Sequence, residues 1–442
     1  MQSAPAPVAP GRRGPEGPIE GPRDRERIRT VVVSDHDALA GLLADRIVEL
    51  IARHTAARGR CVLGLATGST PLGIYRELIR RYEAREVDFA NVVAFNLDEY
   101  YPMAPDNPQS YRRYMWENLF AHVNIRPEHV HIPDGAVPRE GLAAHCAAYE
   151  RAIAEAGGID FQLLGIGKSG HIGFNEPGSP PDSRTRLVTL DMITRKDAAG
   201  DFFGEDNVPR EAITMGVATI LQAKEIALIA TGEHKAAIVR RAVEGDVSPD
   251  VAATYLQQHA DATMYLDRAA AAELTRLATP WLLGNVEWTP ALTDRAVVWL
   301  AEQADTAILK LTAGHYSAHH LSPLLAQHGA AGPINGAVFN RLKDKIRGRS
   351  KLPAHQRVLV FSPHPDDDVI SMGGILRKLW ENENALVVAY MTSGSIAVFD
   401  HDVRRHLDFV ERAAASLGLD GAALHRVRAT VEESLERKAP GE

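Results

Sequence analysis

The chain has 442 residues, 45% of them hydrophobic and 24% charged, with a formal net charge of -8. At roughly 100–200 residues per domain, that length holds two or three domains with a sizeable core. The acidic balance, without a Lys/Arg stripe, argues against a nucleic-acid partner. The absence of a long apolar run or an N-terminal apolar segment argues against a membrane span or a secretory leader.

Cysteine usage narrows the setting further. Cys61 and Cys146 are the only two cysteines and lie outside any C-x-x-C pair, so neither a disulfide framework nor a zinc ribbon is expected. A reducing cytoplasm fits. An acidic protein that takes an anionic ligand must concentrate positive charge locally, so single Arg and Lys residues beside glycine loops matter.

Residues 1–28 are dense in Pro, Gly and Arg and are expected to form a disordered tail. From there to about residue 280, β-branched runs alternate with helical periodicity. IRTVVVSD, CVLGLATGS, NVVAFNLDEY, FQLLGIG and EIALIAT read as strands; LAGLLADRIVELIARH and TPLGIYRELIRRYEA read as helices. This alternation predicts an α/β fold: a doubly wound, mostly parallel, Rossmann-like sheet that binds ligands at the carboxyl ends of its strands. Residues 281–354 read as a connecting module, with a helix at DRAVVWLAEQ and a short strand at AILKL. Residues 355–442 read as a second, partial α/β domain of about half the usual size, opening on the strand RVLVFSPHPDD and ending in a charged helix.

The candidate chemistry follows the strands. In LGLATGSTPLGIY, Gly68, Ser69 and Thr70 bring backbone N–H groups and hydroxyls to a helix N-terminus, which suits a phosphate. Asp98 and Glu99 stand at a strand end, where a carboxylate serves either as a base or as a helix cap. In GIGKSGHIGFNEPGS, four glycines surround His171 and Glu176 follows five positions later. A glycine-rich wrap carrying an imidazole and a carboxylate suits a proton shuttle. Zinc fits less well there, because no third His or Cys stands at ligand spacing. Two isolated cations, Arg195 and Lys235, lie nearby, the latter opening a helix.

Taken in order, LATGSTPLGIY, FNLDEYY, NPQSYRRYM, GIGKSGHIGFNEPGS, SRTR, MGVATIL and TGEHKA resemble the glucosamine-6-phosphate deaminase family, from about Thr30 to Leu266. The resemblance implies a fold of the sugar-phosphate isomerase type. It also implies conversion of glucosamine 6-phosphate and water to fructose 6-phosphate and ammonia, without a cofactor. By the same resemblance His171 is the ring-opening acid/base, Glu176 its carboxylate partner and Asp98 the base for the C2 proton. Gly68, Ser69, Thr70, Arg195 and Lys235 match the phosphate clamp. Many family members carry an Asp two residues before the loop histidine, where this chain has Ser169. A related isomerase, a 6-phosphogluconolactonase or a non-catalytic sugar-phosphate sensor are the alternatives, and a homo-oligomer is expected.

FSPHPDDDVISMGG resembles zinc-dependent deacetylases of N-acetylglucosaminyl compounds. That resemblance makes His364 and Asp367 metal ligands and Asp366 a general base. A catalytic zinc needs three protein ligands. Neither His401, His406 nor His425 stands in a matching context for the third, so an incomplete zinc site is expected.

Overall fold

Each central strand sends alternate side chains to two different cores. The computed structural model describes residues 24–346, 352–392, 400–417 and 420–437; residues 1–23 of the expected tail lie outside them. Among the described residues, ten strands occur before Trp288: β1 (Arg29–Val33), β2 (Cys61–Leu65), β3 (Val92–Asn96), β4 (Asp98–Tyr101), β5 (Val130–His131), β6 (Phe161–Gly165), β7 (Arg186–Thr189), β8 (Glu211–Thr214), β9 (Glu225–Ala230) and β10 (Ala262–Asp267). Seven form one sheet in the order β1-β10-β9-β6-β2-β3-β5, with every pairing parallel.

The two faces are covered by different helices. One core takes Val62, Leu164, Ile226 and Leu228 from the strands; the other takes Cys61, Leu63, Leu65, Phe161, Leu163 and Ile229. Parallel strands buried on both faces read as continuous apolar runs, which is why CVLGL and EIALIA stand out in the sequence. On the second face lie α1 (His36–Arg58) and α2 (Leu72–Glu83). Leu39, Leu43, Ile47 and Leu50 form one buried stripe of α1. Asp35 caps its start by accepting from Ala38 N–H, and Gly59 ends it in the left-handed region at φ 80°. Next in the chain come α3 (Tyr111–Asn118), α4 (Leu142–Glu155), α5 (Met192–Ala198), α6 (Val217–Leu221) and α7 (Ala236–Glu244).

The run NVVAFNLDEY is not one strand. It turns at Leu97, so that β3 stays in the parallel sheet while β4 joins a separate antiparallel sheet of order β4-β8-β7. The turn swings Asp98 out of the main sheet just past its carboxyl edge. A continuous apolar stretch cannot reveal such a break.

The chain divides into two units after Trp288. The second begins with α8 (Thr275–Ala278) already behind it. Its first helices are α9 (Pro290–Gln303), α10 (Ala313–Ala318), α11 (Ser322–His328) and α12 (Ala331–Ile346). AILKL forms a 3-10 turn at Ile308–Lys310 rather than a strand. Its Leu311 carbonyl is held by Asn335 Nδ2 at 2.8 Å, and Asn335 Oδ1 accepts from the buried Tyr316 hydroxyl at 2.7 Å. These bonds tie the segment to helices, with no strand beside it among the described residues.

Further on, β11 (Arg357–Ser362), α13 (Asp367–Ile370), α14 (Gly373–Glu381) and β12 (Ala385–Tyr390) form a parallel two-stranded α/β piece, followed by α15 (Asp400–Leu417) and α16 (Gly421–Glu436). Leu359, Phe361 and Val387 remain 55%, 63% and 60% exposed, so one face of this small sheet is bare. Among the described residues, no helix is long and apolar enough to cross a membrane.

Because Ile47 is fully buried in the middle of the α1 stripe, Ile47→Ala is expected to destabilise the first unit by about 2–5 kcal/mol. Urea unfolding followed by tryptophan fluorescence checks this.

Candidate active site

Strands β9, β6, β2 and β3 are consecutive in the sheet and parallel, so their four carboxyl-end loops meet at one edge. They enclose a cavity of about 460 Å³ lined by Gly68, Ser69, Thr70, Asp98, Lys168, His171, Thr231, His234 and Lys235, among others. Asp98, His171, Lys235 and the Gly68–Thr70 turn, identified separately in the sequence, thus face one space.

At one end of the cavity lies the turn before α2. Gly68 has φ 97°, a left-handed value that glycine adopts freely. Among the described residues, nothing accepts a hydrogen bond from the backbone N–H groups of Gly68, Ser69 or Thr70. Tyr114 holds the turn by donating its hydroxyl to Gly68 O at 2.6 Å. Lys235, at the start of α7, donates to Ile166 O at 2.8 Å. Burial pulls its ammonium below the usual lysine value, Asp197 opposes that, and Lys168 adds to it. Lys168 itself pairs with Asp197 at 2.5 Å. Free N–H donors before α2 and the Lys235 ammonium before α7 line the same cavity and suit an anion.

Asp98 is only 5% exposed, and among the described residues no donor bonds its carboxyl. Burial, and then the neighbouring charge of Glu99, push it up to about 8. Glu99 points away to the N-terminus of α3, where it accepts from Tyr100 N, Ser110 Oγ, Tyr111 N and Arg112 N. Burial raises Glu99 as well, against the pull of those bonds. The two carboxyls therefore divide the uses that the sequence left open: Glu99 caps a helix, and Asp98 faces the cavity.

His171 is fixed from behind. Its Nδ1 lies 3.0 Å from Ser169 Oγ, 3.2 Å from Glu176 Oε2 and 3.3 Å from Thr194 Oγ1. Its Nε2 has no partner among the described residues, and the ring lines the cavity. A Cβ placed on Gly167 would sit 2.2 Å from Nε2, so only glycine lets the backbone pass under this ring. Burial acts to raise Glu176, but the hydrogen bond and charge of His171, with Thr194 and Asp191 N–H, hold it below the ordinary glutamate value. Glu176 is thus an ionised partner of the imidazole.

Arg195 departs from the expected set. It stands on α5, does not line the cavity, and donates to Glu205 O at 2.9 Å. Its Nε is buried without a partner among the described residues. Conversely, Lys168, Asp197, Thr231 and His234 line the cavity and Thr194 backs His171, although no motif points to any of them. Lys168 sat inside the glycine loop and Thr194 beside Arg195, but isolated Lys and Thr residues carry no spacing signal.

In the second unit, His364 Nδ1 lies 2.9 Å from Asp367 Oδ2, and Asp366 stands at the start of α13. Asp368 is buried, accepts from Tyr390 OH at 3.2 Å, and keeps Oδ1 without a partner among the described residues. No group of three or more His, Cys, Asp or Glu that could hold a metal occurs among the described residues. His401, His406 and His425 are on the late helices, with His425 beside Glu411 and His406 bonded to Asp402 O. The residues brought together here do not fit a three-ligand zinc centre.

Comparison with known proteins gives the wider frame. Residues 34–265, more than half of the chain, match the family described as glucosamine-6-phosphate isomerases/6-phosphogluconolactonase. The chain belongs to that family. A second match, to the family described as GlcNAc-PI de-N-acetylase, covers residues 359–430. A glucosamine-6-phosphate deaminase-like protein of Bacteroides thetaiotaomicron is 42% identical over 400 residues, covering 87% of this chain but 60% of that relative. This chain therefore spans less than two thirds of that relative's length. Glucosamine-6-phosphate deaminase 2 of Bacillus subtilis is 48% identical over 250 residues, 56% of this chain and 98% of that protein. A solved structure described as a monomeric glucosamine-6-phosphate deaminase superposes with a TM-score of 0.53 at 41% identity, over 56% of this chain and all of that one.

The folded-state value of Asp98, about 8, lies above its ordinary 3.8, so the folded chain keeps this proton across that window. The stability tied to that proton is full at the acid end and is lost as pH rises through about 8. Asp98→Asn removes the effect. Its melting temperature is expected to exceed the unsubstituted chain's at pH 9 by more than at pH 5, as read by differential scanning fluorimetry.

Proposed function

We propose that the first unit is a glucosamine-6-phosphate deaminase, a hydrolase of a C–N bond that also isomerises its substrate. One observation carries the reading: an unbonded buried carboxyl, an imidazole backed by a carboxylate, and a cluster of N–H and ammonium donors line one cavity of about 460 Å³. The size and the polarity at each end suit a phosphorylated hexosamine lying lengthwise.

The chemistry then runs through groups already in place. Gly68–Thr70 and Lys235 bind the phosphate, so the energy of the non-reacting end positions the reacting carbons. His171 Nε2 exchanges protons with the hemiacetal and ring oxygens to open the sugar, while Glu176 stabilises the imidazolium formed on the way. Ring opening exposes an aldehyde that acidifies the C2 proton. Asp98, poised near neutrality, accepts that proton once ionised, giving an enolamine. Proton return at C1 leaves a ketose imine. Water adds to it and expels ammonia, leaving fructose 6-phosphate. No step calls on a metal, and a cytoplasmic setting fits the free thiols of Cys61 and Cys146.

Support comes from several relatives of 44–48% identity that carry the glucosamine-6-phosphate deaminase name. The second unit, with His364 and Asp367 paired and no third donor near them among the described residues, is proposed to be inactive as a deacetylase in this form.

Ammonia release from glucosamine 6-phosphate, coupled to glutamate dehydrogenase, tests the assignment; fast hydrolysis of 6-phosphogluconolactone without ammonia would replace it by a lactonase. Asp98→Asn is expected to keep sugar-phosphate binding while losing about 10²–10⁴-fold in turnover. Added zinc or a chelator is expected to leave ammonia release unchanged, and an N-acetylated substrate to yield no acetate.

A further inference from the structure

Thr194 belongs to no motif, yet it touches the centre of the site. It lies in the first turn of α5, is 7% exposed, and places Oγ1 3.3 Å from His171 Nδ1. The same nitrogen faces Ser169 Oγ at 3.0 Å and Glu176 Oε2 at 3.2 Å. Ser169 Oγ also reaches Glu176 Oε2 at 3.4 Å.

The proton count in this cluster is decisive. An ionised carboxylate only accepts, and each hydroxyl has one proton and two lone pairs. Hydroxyls that donate to Glu176 can offer only lone pairs to the imidazole. The ionised Glu176 and the Ser169 hydroxyl that donates to it therefore call for a proton on Nδ1, which Thr194 Oγ1 at 3.3 Å is placed to accept. The other ring nitrogen, which has no partner among the described residues, is left with its lone pair on the cavity side.

The anchor is rigid where it matters. Asp191 caps α5 by accepting from Ile193 N at 2.7 Å, and Asp191 N donates to Glu176 Oε1 at 3.3 Å. Both oxygens of Glu176 are thus tied to the first turn of α5 or to the loop of Ser169. Removing the Thr194 hydroxyl would leave Ser169 to share its single proton and its lone pairs between Glu176 and the ring alone.

We propose that Thr194 is a positioning residue which, together with Ser169, holds His171 in its Nδ1–H tautomer and keeps the Nε2 lone pair turned to the sugar. The rates by which this is tested rest on the deaminase reading; the tautomer itself does not.

Two readouts separate the possibilities. The first is 15N NMR of the full chain labelled at histidine, with His171→Gln identifying the signal. The second is steady-state ammonia release by Thr194→Val, which keeps the shape and loses the hydroxyl, and by Thr194→Ser, which keeps the hydroxyl. Expected are an Nδ1–H imidazole in the unsubstituted chain and a kcat about 10-fold or more lower in Thr194→Val, with KM changed less than about twofold. Thr194→Ser is expected to stay within about threefold of the original kcat.

An Nε2–H imidazole in the unsubstituted chain, full turnover in Thr194→Val, or a Thr194→Ser variant as impaired as Thr194→Val overturns the proposal. If Thr194→Val does not fold, the spectrum of the unsubstituted chain and the Thr194→Ser rate still decide. An Nδ1–H signal from a chain that releases no ammonia supports the tautomer and sinks the deaminase reading.

Discussion

Parallel alignment of β9, β6, β2 and β3 is the constraint from which the site follows. Hydrogen bonding between parallel neighbours sends every carboxyl end the same way. Four loops that are far apart in sequence must therefore meet at one edge. The Gly68–Thr70 turn, Asp98, the His171 loop and Lys235 each belong to one of these ends. No contact between the functional residues is needed to gather them. The two apolar cores on either side of the sheet hold the strands, and the strands hold the chemistry.

Charge is distributed along the cavity in a way that suits an anion at one end and proton transfer at the other. Lys235, Lys168 and the free backbone N–H groups of Gly68–Thr70 line this cavity, in a chain whose overall charge is -8. At the second end burial does the tuning. It deprives Asp98 of water and of donors, so that carboxyl sits near neutrality, whereas Glu176, almost as deep, is kept ionised by His171, Thr194 and Asp191. Two carboxyls in one site thus take opposite protonation preferences, because one has hydrogen-bond partners and the other has none among the described residues. Glu99 adds to the first effect while serving mainly to cap α3, a double use set by its position next to Asp98 on β4.

Much of this was legible in the residues. Apolar runs bounded by glycine marked β2, β6 and β9, because strands buried on both faces have no polar alternation to blur them. Glycine density marked the His171 loop, since a ring that lies against Gly167 leaves no room for a side chain there. The break between β3 and β4 was hidden, for a turn at Leu97 changes the hydrogen-bond partners and not the residue types. AILKL looked like a strand by composition, but whether such a segment pairs depends on neighbours that only the folded chain supplies. Arg195 was an isolated cation carried only by the family resemblance, and the direction of its side chain was not readable from the residues around it. Thr194 and Lys168 were invisible for the opposite reason: single polar residues acquire their roles only through what packs beside them.

The central claim is that one sugar phosphate touches both ends of this cavity at once. A crystal structure of the chain soaked with a reduced, unreactive hexosaminitol 6-phosphate tests it most directly. The account predicts the phosphate on the N–H groups of Gly68–Thr70 and on Lys235, with the C–H of the amine-bearing carbon turned to the Asp98 carboxyl and a sugar oxygen on His171 Nε2. A phosphate bound elsewhere, or an amine-bearing carbon turned away from Asp98, would contradict it.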